Sequence, residues 1–156
     1  MKQIFLLLLS IIFWQSLGMP QSEMDAPESW KRIDAKGRFS FYLPPEMKKL
    51  DTHGIDSYVE EYSSDTMRLG FDYGQYSNHL DNEGEEDYQA EMVAIDGRKA
   101  KLATFTIKDG NTGYNYYTGV YFADVGALER RFLKPKLTVG ASCKSKVDQE
   151  IAKKMF

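Results

Sequence analysis

Residues 55–76 read Ile55-Asp56-Ser57-Tyr58-Val59-Glu60-Glu61-Tyr62, then Ser63-Ser64-Asp65, then Thr66-Met67-Arg68-Leu69-Gly70-Phe71-Asp72-Tyr73-Gly74-Gln75-Tyr76. Met67, Leu69, Phe71 and Tyr73 recur at every second residue, so they share one face of an extended strand. Ile55–Tyr62 is rich in residues that fit a pleated surface. The polar Ser63-Ser64-Asp65 between them reads as a turn. The stretch therefore predicts an antiparallel hairpin, and with it a sheet protein.

Strand signals continue on both sides. Upstream, Arg38–Leu43 places Phe39, Phe41 and Leu43 on one face and ends at Pro44-Pro45, because proline cannot extend a ladder. Glu46–Leu50 is expected to add one helical turn. Downstream, Ser77–Asp87 reads as a polar, acidic connection to a strand at Tyr88–Ile95. Asp96-Gly97 is the strongest turn signal, since a type I′ turn needs positive φ at both central residues. Lys99–Ile107 returns with apolar residues on both faces, which calls either for a bulge near Leu102 or for burial on both sides. Asp109-Gly110-Asn111-Thr112-Gly113 is a further turn, Tyr114–Val125 an aromatic strand, Gly126–Pro135 a basic loop carrying Arg130 and Arg131, and Lys136–Cys143 the last strand.

One helix closes the chain. Ser145 can cap it, with Asp148 at capping-box spacing, and Val147, Ile151 and Met155 form its apolar stripe. About six to eight strands in hairpin order with this helix on one face predict an α+β fold built on an antiparallel sheet; an all-β sandwich is the alternative.

Residues 1–18 have the layout of a secretory signal peptide: Lys2, an apolar run Ile4–Trp14 too short to span a bilayer, and Ser16-Leu17-Gly18 before a cut after Gly18. No cysteine near the cut offers a site for acylation, so a soluble secreted or periplasmic product is expected. Residues 19–29, with Pro20 and Pro27, read as a flexible leader, and 30–156 as a single domain. The chain carries 20 basic and 23 acidic side chains, net charge -3, and loss of Lys2 with residues 1–18 makes it one unit more negative. That balance argues against nucleic-acid binding, which needs a basic footprint. Cys143 is the single cysteine, so no intramolecular disulfide is expected. Leu137, Val139, Ala141 and Cys143 alternate with polar or small residues, which turns the thiol toward the core.

Gly37-Arg38-Phe39-Ser40-Phe41-Tyr42-Leu43-Pro44 resembles the opening strand of the PsbP-like (Mog/PsbP) superfamily. The hairpin through Ile95-Asp96-Gly97-Arg98-Lys99-Ala100, the aromatic strand Tyr114–Phe122, and the helix carrying Asp148, Ala152 and Phe156 follow in a similar order. Gly54–Tyr58 and Phe71–Ser77 resemble segments of small exported bacterial proteins without an assigned activity. The resemblance covers roughly Trp30 to Phe156. It implies an antiparallel sheet between helices and a non-catalytic accessory or binding role. That family usually has a mid-domain helix, for which Ser77–Asp87 is short and acidic.

No nucleophile elbow, C-x-x-C, H-E-x-x-H, phosphate loop or dinucleotide fingerprint occurs, so no catalytic residue, metal or cofactor is assigned. The acidic run His79–Asp87 lacks EF-hand spacing and reads as a solvated loop. Asp72, Tyr73, Tyr76, Asn78 and His79 cluster at a strand end, a usual place for binding groups. Gly74 there permits a bulge or a close backbone approach. Tyr42, Tyr58, Tyr62, Tyr76, Tyr117 and Tyr121 are expected mostly opposite the main apolar faces, either as an interface for a glycan, peptide or protein or as a second core layer. The expected function is therefore a non-enzymatic accessory or binding protein acting on an unknown protein or small ligand of the cell envelope. It would act through an aromatic sheet face that includes Tyr117 and Tyr121. The alternative is a small hydrolase or metal-dependent enzyme centred on Asp72 and His79.

Overall fold

A computed structural model describes residues 26–108, 112–126 and 134–156. The expected signal peptide, most of the expected leader, and the turn and loop expected at 109–111 and around Arg130 and Arg131 lie outside the described residues. The strands are β1 (Lys31–Asp34), β2 (Ser40–Leu43), β3 (Lys48–Lys49), β4 (Tyr58–Ser63), β5 (Met67–Gly74), β6 (Glu86–Ile95), β7 (Arg98–Thr106), β8 (Tyr116–Phe122) and β9 (Lys136–Cys143). Helix α1 (Lys146–Ala152) follows and tightens into a 3-10 turn at Lys153–Met155. β3 to β9 form one antiparallel seven-stranded sheet in the order β3-β4-β5-β9-β8-β7-β6, and β1 pairs with β2 as a separate ribbon.

The hairpin read from residues 55–76 is present as β4–β5, with Tyr62 opposite Leu69. Ser64 closes its turn: its N–H donates to the Met67 carbonyl, and its hydroxyl accepts from the Met67 N–H. Asp96 (φ 48) and Gly97 (φ 72) form the predicted tight turn between β6 and β7. The two-faced β7 is buried on both sides without a shift against β8; the irregularity sits in β6 between Glu86 and Gln89.

Met67, Leu69 and Phe71 of β5 join Leu137, Val139, Ala141 and Cys143 of β9 and Val120 and Phe122 of β8 on the inner face. The β1–β2 ribbon covers it with Phe39, Phe41 and Leu43, and the C-terminal segment covers it with Ala152 and Met155. Phe39 meets Phe71 edge-on at 4.9 Å, and Phe41 meets Tyr62 at 5.8 Å, the geometries that aromatic quadrupoles favour. Cys143 is 0 % exposed, and burial, then Asp148, pushes its thiol up to about 12, so it stays protonated and unreactive. Ser145 caps α1, its hydroxyl accepting from the Asp148 N–H at 3.1 Å. The docking stripe departs from the predicted one at Val147, which is exposed; Ile151 packs half-buried, Ala152 and Met155 are buried, and Gln149 is buried beside them with its Nε2 donating to the Tyr117 carbonyl at 2.6 Å. No helix among the described residues is long and apolar enough to cross a membrane.

Two local expectations are corrected. Glu46–Leu50 is not a helical turn: Lys48 and Lys49 pair with Ser63 and Tyr62 as an edge strand, and lysines suit an edge because they discourage further pairing. The stretch Ser77–Asp87 is not merely solvated. It carries the chain from β5 across the outer face to β6 at the far edge. Ser77 Oγ donates to the Asp72 carbonyl, Thr138 Oγ1 of β9 donates to the Asn78 carbonyl, and Tyr88 Oη of β6 donates to the Leu80 carbonyl. Leu80, 1 % exposed, plugs this crossing and stands apart from the main core cluster.

Candidate functional site

The outer face takes its shape from missing side chains. Gly70, Gly140 and Gly119 lie directly opposite one another on β5, β9 and β8. Ala103 and Ala90 continue the row on β7 and β6. The result is a shallow lane across the middle of the sheet. Tyr117 lays its ring into that lane. A Cβ on Gly140 would stand 2.6 Å from Tyr117 Cζ, and one on Gly119 would stand 2.9 Å from its hydroxyl, so only glycine leaves the ring room. Phe105, opposite Tyr117 on β7, stacks on it at 4.6 Å and 20°, and Tyr88 lies 6.3 Å beyond Phe105. An aromatic stripe thus crosses β6, β7 and β8 and stops where the glycines of β9 and β5 begin.

Beyond the Tyr117 ring the lane opens into a groove of about 430 Å³. Val59 and Glu61 of β4, Arg68 and Asp72 of β5, and Ser142 of β9 wall it, and Asn78 of the crossing segment closes one end. Two polar groups of its lining lack a hydrogen-bond partner among the described residues. Asp72 Oδ1 is buried and has no hydrogen-bond partner among the described residues. The hydroxyls of Tyr58, Tyr62, Tyr88 and Tyr114 all donate to protein oxygens, whereas that of Tyr117 finds no acceptor among the described residues. Burial pushes the Tyr117 phenol up to about 12, so it is a donor at neutral pH. A buried acceptor left unpaired is costly.

The sequence-predicted residues divide. Asp72, Asn78 and Tyr117 share this groove. His79 and Tyr121 adjoin it over β8, their rings 4.8 Å apart. His79 Nε2 lies 3.0 Å from Lys136 Nζ, its Nδ1 lies 4.0 Å from Asp81 Oδ2, and Asp81 pairs with Lys101. Both imidazole nitrogens are thus turned to groups other than Asp72, and no hydrogen bond between Asp72 and His79 is formed. Tyr73 lies on the opposite, inner face, stacked 6.2 Å from Phe39 beneath the Arg38 guanidinium at 4.8 Å. Tyr76 is 77 % exposed beyond the end of β5. Among the described residues no three His, Cys, Asp or Glu gather as a metal site.

The six-tyrosine face is also revised. Tyr58 and Tyr62 belong to the inner face, where both hydroxyls donate to Glu60, at 2.7 and 2.6 Å. Burial alone would raise the Glu60 carboxyl, but the hydrogen bonds from Lys49, Tyr62 and Tyr58 outweigh it and hold the carboxyl below its usual range. Gly74 serves a close backbone approach by Ser57, whose Cβ would stand 2.6 Å from a Cβ at Gly74. Sequence reasoning did not single out Gly70, Gly119, Gly140, Phe105 or Leu80. The isolated mid-strand glycines were the available signal, since a glycine in a strand often marks a close approach. Compared with protein-family models, with curated proteins and with solved structures, the chain matches none.

Proposed function

We propose that this chain is an exported, non-enzymatic binding module of the PsbP-like α+β kind, and that its outer groove takes a neutral, hydroxyl-rich ligand of the saccharide class. The observation that carries the reading is the pairing in one groove of a buried acceptor without a partner, Asp72 Oδ1, with an uncommitted donor, the Tyr117 hydroxyl. A sugar hydroxyl can donate to the first and accept from the second. The carbon atoms of the Tyr117 ring in the groove lining offer apolar surface for the C–H groups of a sugar. Asn78 and Ser142 supply further amide and hydroxyl groups along the walls. Glu61 and Asp72 stand against the single Arg68 in the same groove, a balance that disfavours an anionic ligand.

The test is a glycan array probed with the chain from Met19 onward and with its Asp72→Asn and Tyr117→Phe variants. Both variants keep the shape of the groove. Binding of one glycan class by the wild type, weakened about tenfold or more by Asp72→Asn, supports the proposal; a hydrogen bond to a charged group contributes about 1.5–3 kcal/mol. An array without hits, or hits that Asp72→Asn leaves unchanged, would overturn it.

A further inference from the structure

A second cavity lies on the opposite side of the sheet. It opens between the β1–β2 ribbon and the inner face, encloses about 430 Å³, and has a floor of Val120, Phe122, Leu137 and Val139 with Phe39 and Phe41 as one wall. Its size falls within the ~300–1,000 Å³ of small-molecule sites. The rim is basic: Arg32 from β1, Arg38 from the ribbon turn and Arg98 from the start of β7, with Asp34 and Asp96 beside them. None of these guanidiniums has a carboxylate within ion-pair distance among the described residues. Arg32 donates to the Ser40 hydroxyl at 2.8 Å, and Arg38 lies over the rings of Tyr58 and Tyr73. Asp34 Oδ1 is already engaged by the Gly37 N–H. Gly126 lies against Arg98, where a Cβ would stand 3.1 Å from a guanidinium nitrogen, which keeps that fork beside the cavity mouth.

We infer that this cavity is a second binding site, for an amphipathic anion whose apolar body lies on the Val120–Leu137 floor and whose head group is held by Arg98 and Arg32. Arginine suits the head because its planar fork matches a carboxylate or phosphate with two parallel hydrogen bonds. The floor supplies what an inorganic anion could not use, burial of hydrocarbon. The β1–β2 ribbon therefore acts as the wall of a ligand site as well as a lid on the core.

The probe is decanoate, titrated calorimetrically into the chain from Met19 onward, with 1-decanol as the uncharged control. Decanoate should bind, and 1-decanol should bind at least tenfold more weakly. Arg98→Gln and Arg32→Gln should each weaken decanoate about tenfold. Both arginines are exposed, so the variants should keep the wild-type circular dichroism. Tyr117→Phe in the outer groove should change neither titration. No binding of decanoate, equal binding of decanoate and 1-decanol, or an unchanged Arg98→Gln titration would overturn the inference. These results are independent of the glycan array, so either site can fail alone.

Discussion

Replacing Gly140 with alanine tests the lane that shapes the outer face. The three atoms nearest a Cβ at Gly140 all belong to the Tyr117 ring, and Cζ would be 2.6 Å away. β9 is the central strand, bonded to β5 and β8, so its backbone cannot retreat, and the ring must leave. Expelling a tyrosine from its packed position forfeits about 1.5–3 kcal/mol of burial. Alanine returns about 0.5–1 kcal/mol by restricting the unfolded chain. Gly140→Ala should therefore destabilise the protein by about 1–2 kcal/mol. In a Tyr117→Ala background the same change meets no ring and should be neutral or stabilising by up to about 1 kcal/mol. The coupling across the double-mutant cycle is then about 2 kcal/mol. Urea unfolding of the four proteins at one pH measures it, the expected midpoint shift being about 1 M at the slope usual for small domains. An equal loss from Gly140→Ala in both backgrounds would show that the ring does not lie over Gly140.

Three further outcomes follow from the packing. Leu80→Ala should cost about 2–4 kcal/mol in the same urea assay, because Leu80 is 1 % exposed beneath the crossing segment; a loss below about 0.5 kcal/mol would mean that the segment is not anchored there. Glu60 is held below its unfolded value, so it stabilises the fold above the ordinary carboxylate range and loses that contribution as pH falls through its folded value. Glu60→Gln should thus destabilise at pH 7 and flatten the fall in stability below about pH 4.3; an unaltered acid limb would refute the role. Cys143, buried with its thiol pushed up to about 12, should resist iodoacetamide at pH 8 in the native state and react in urea, as mass spectrometry would record.

The strands were legible because their cause is local. A sheet buried on one face writes itself as period two, and Met67, Leu69 and Phe71 or Leu137, Val139 and Ala141 carry that period plainly. The capped helix was equally local, since Ser145 and Asp148 are neighbours. What was hidden depends on register between distant strands. Tyr58, Glu60 and Tyr62 alternate with Val59 and Glu61, and nothing in β4 says which set faces the core. Pairing of Tyr62 with Leu69 decides it, and the edge of the core then admits a carboxylate because two phenols and Lys49 satisfy it. The glycine lane is similar. Gly70, Gly119 and Gly140 are far apart in sequence and become a groove only when β9 inserts between β5 and β8. Asp72 and Asn78 were readable as members of a site, but Tyr73, one residue from Asp72, falls on the other face by the same alternation.

The outer groove is the proposed binding site of this protein. The most direct measurement maps backbone amide shifts of the isotope-labelled chain by nuclear magnetic resonance while the strongest array glycan is titrated in. Binding in the groove predicts saturable shifts at Asp72, Asn78, Gly140 and Ser142 with a common dissociation constant. Shifts confined to the inner-face cavity around Arg98 and Val120, or none at Asp72 and Gly140 at saturation, would contradict it.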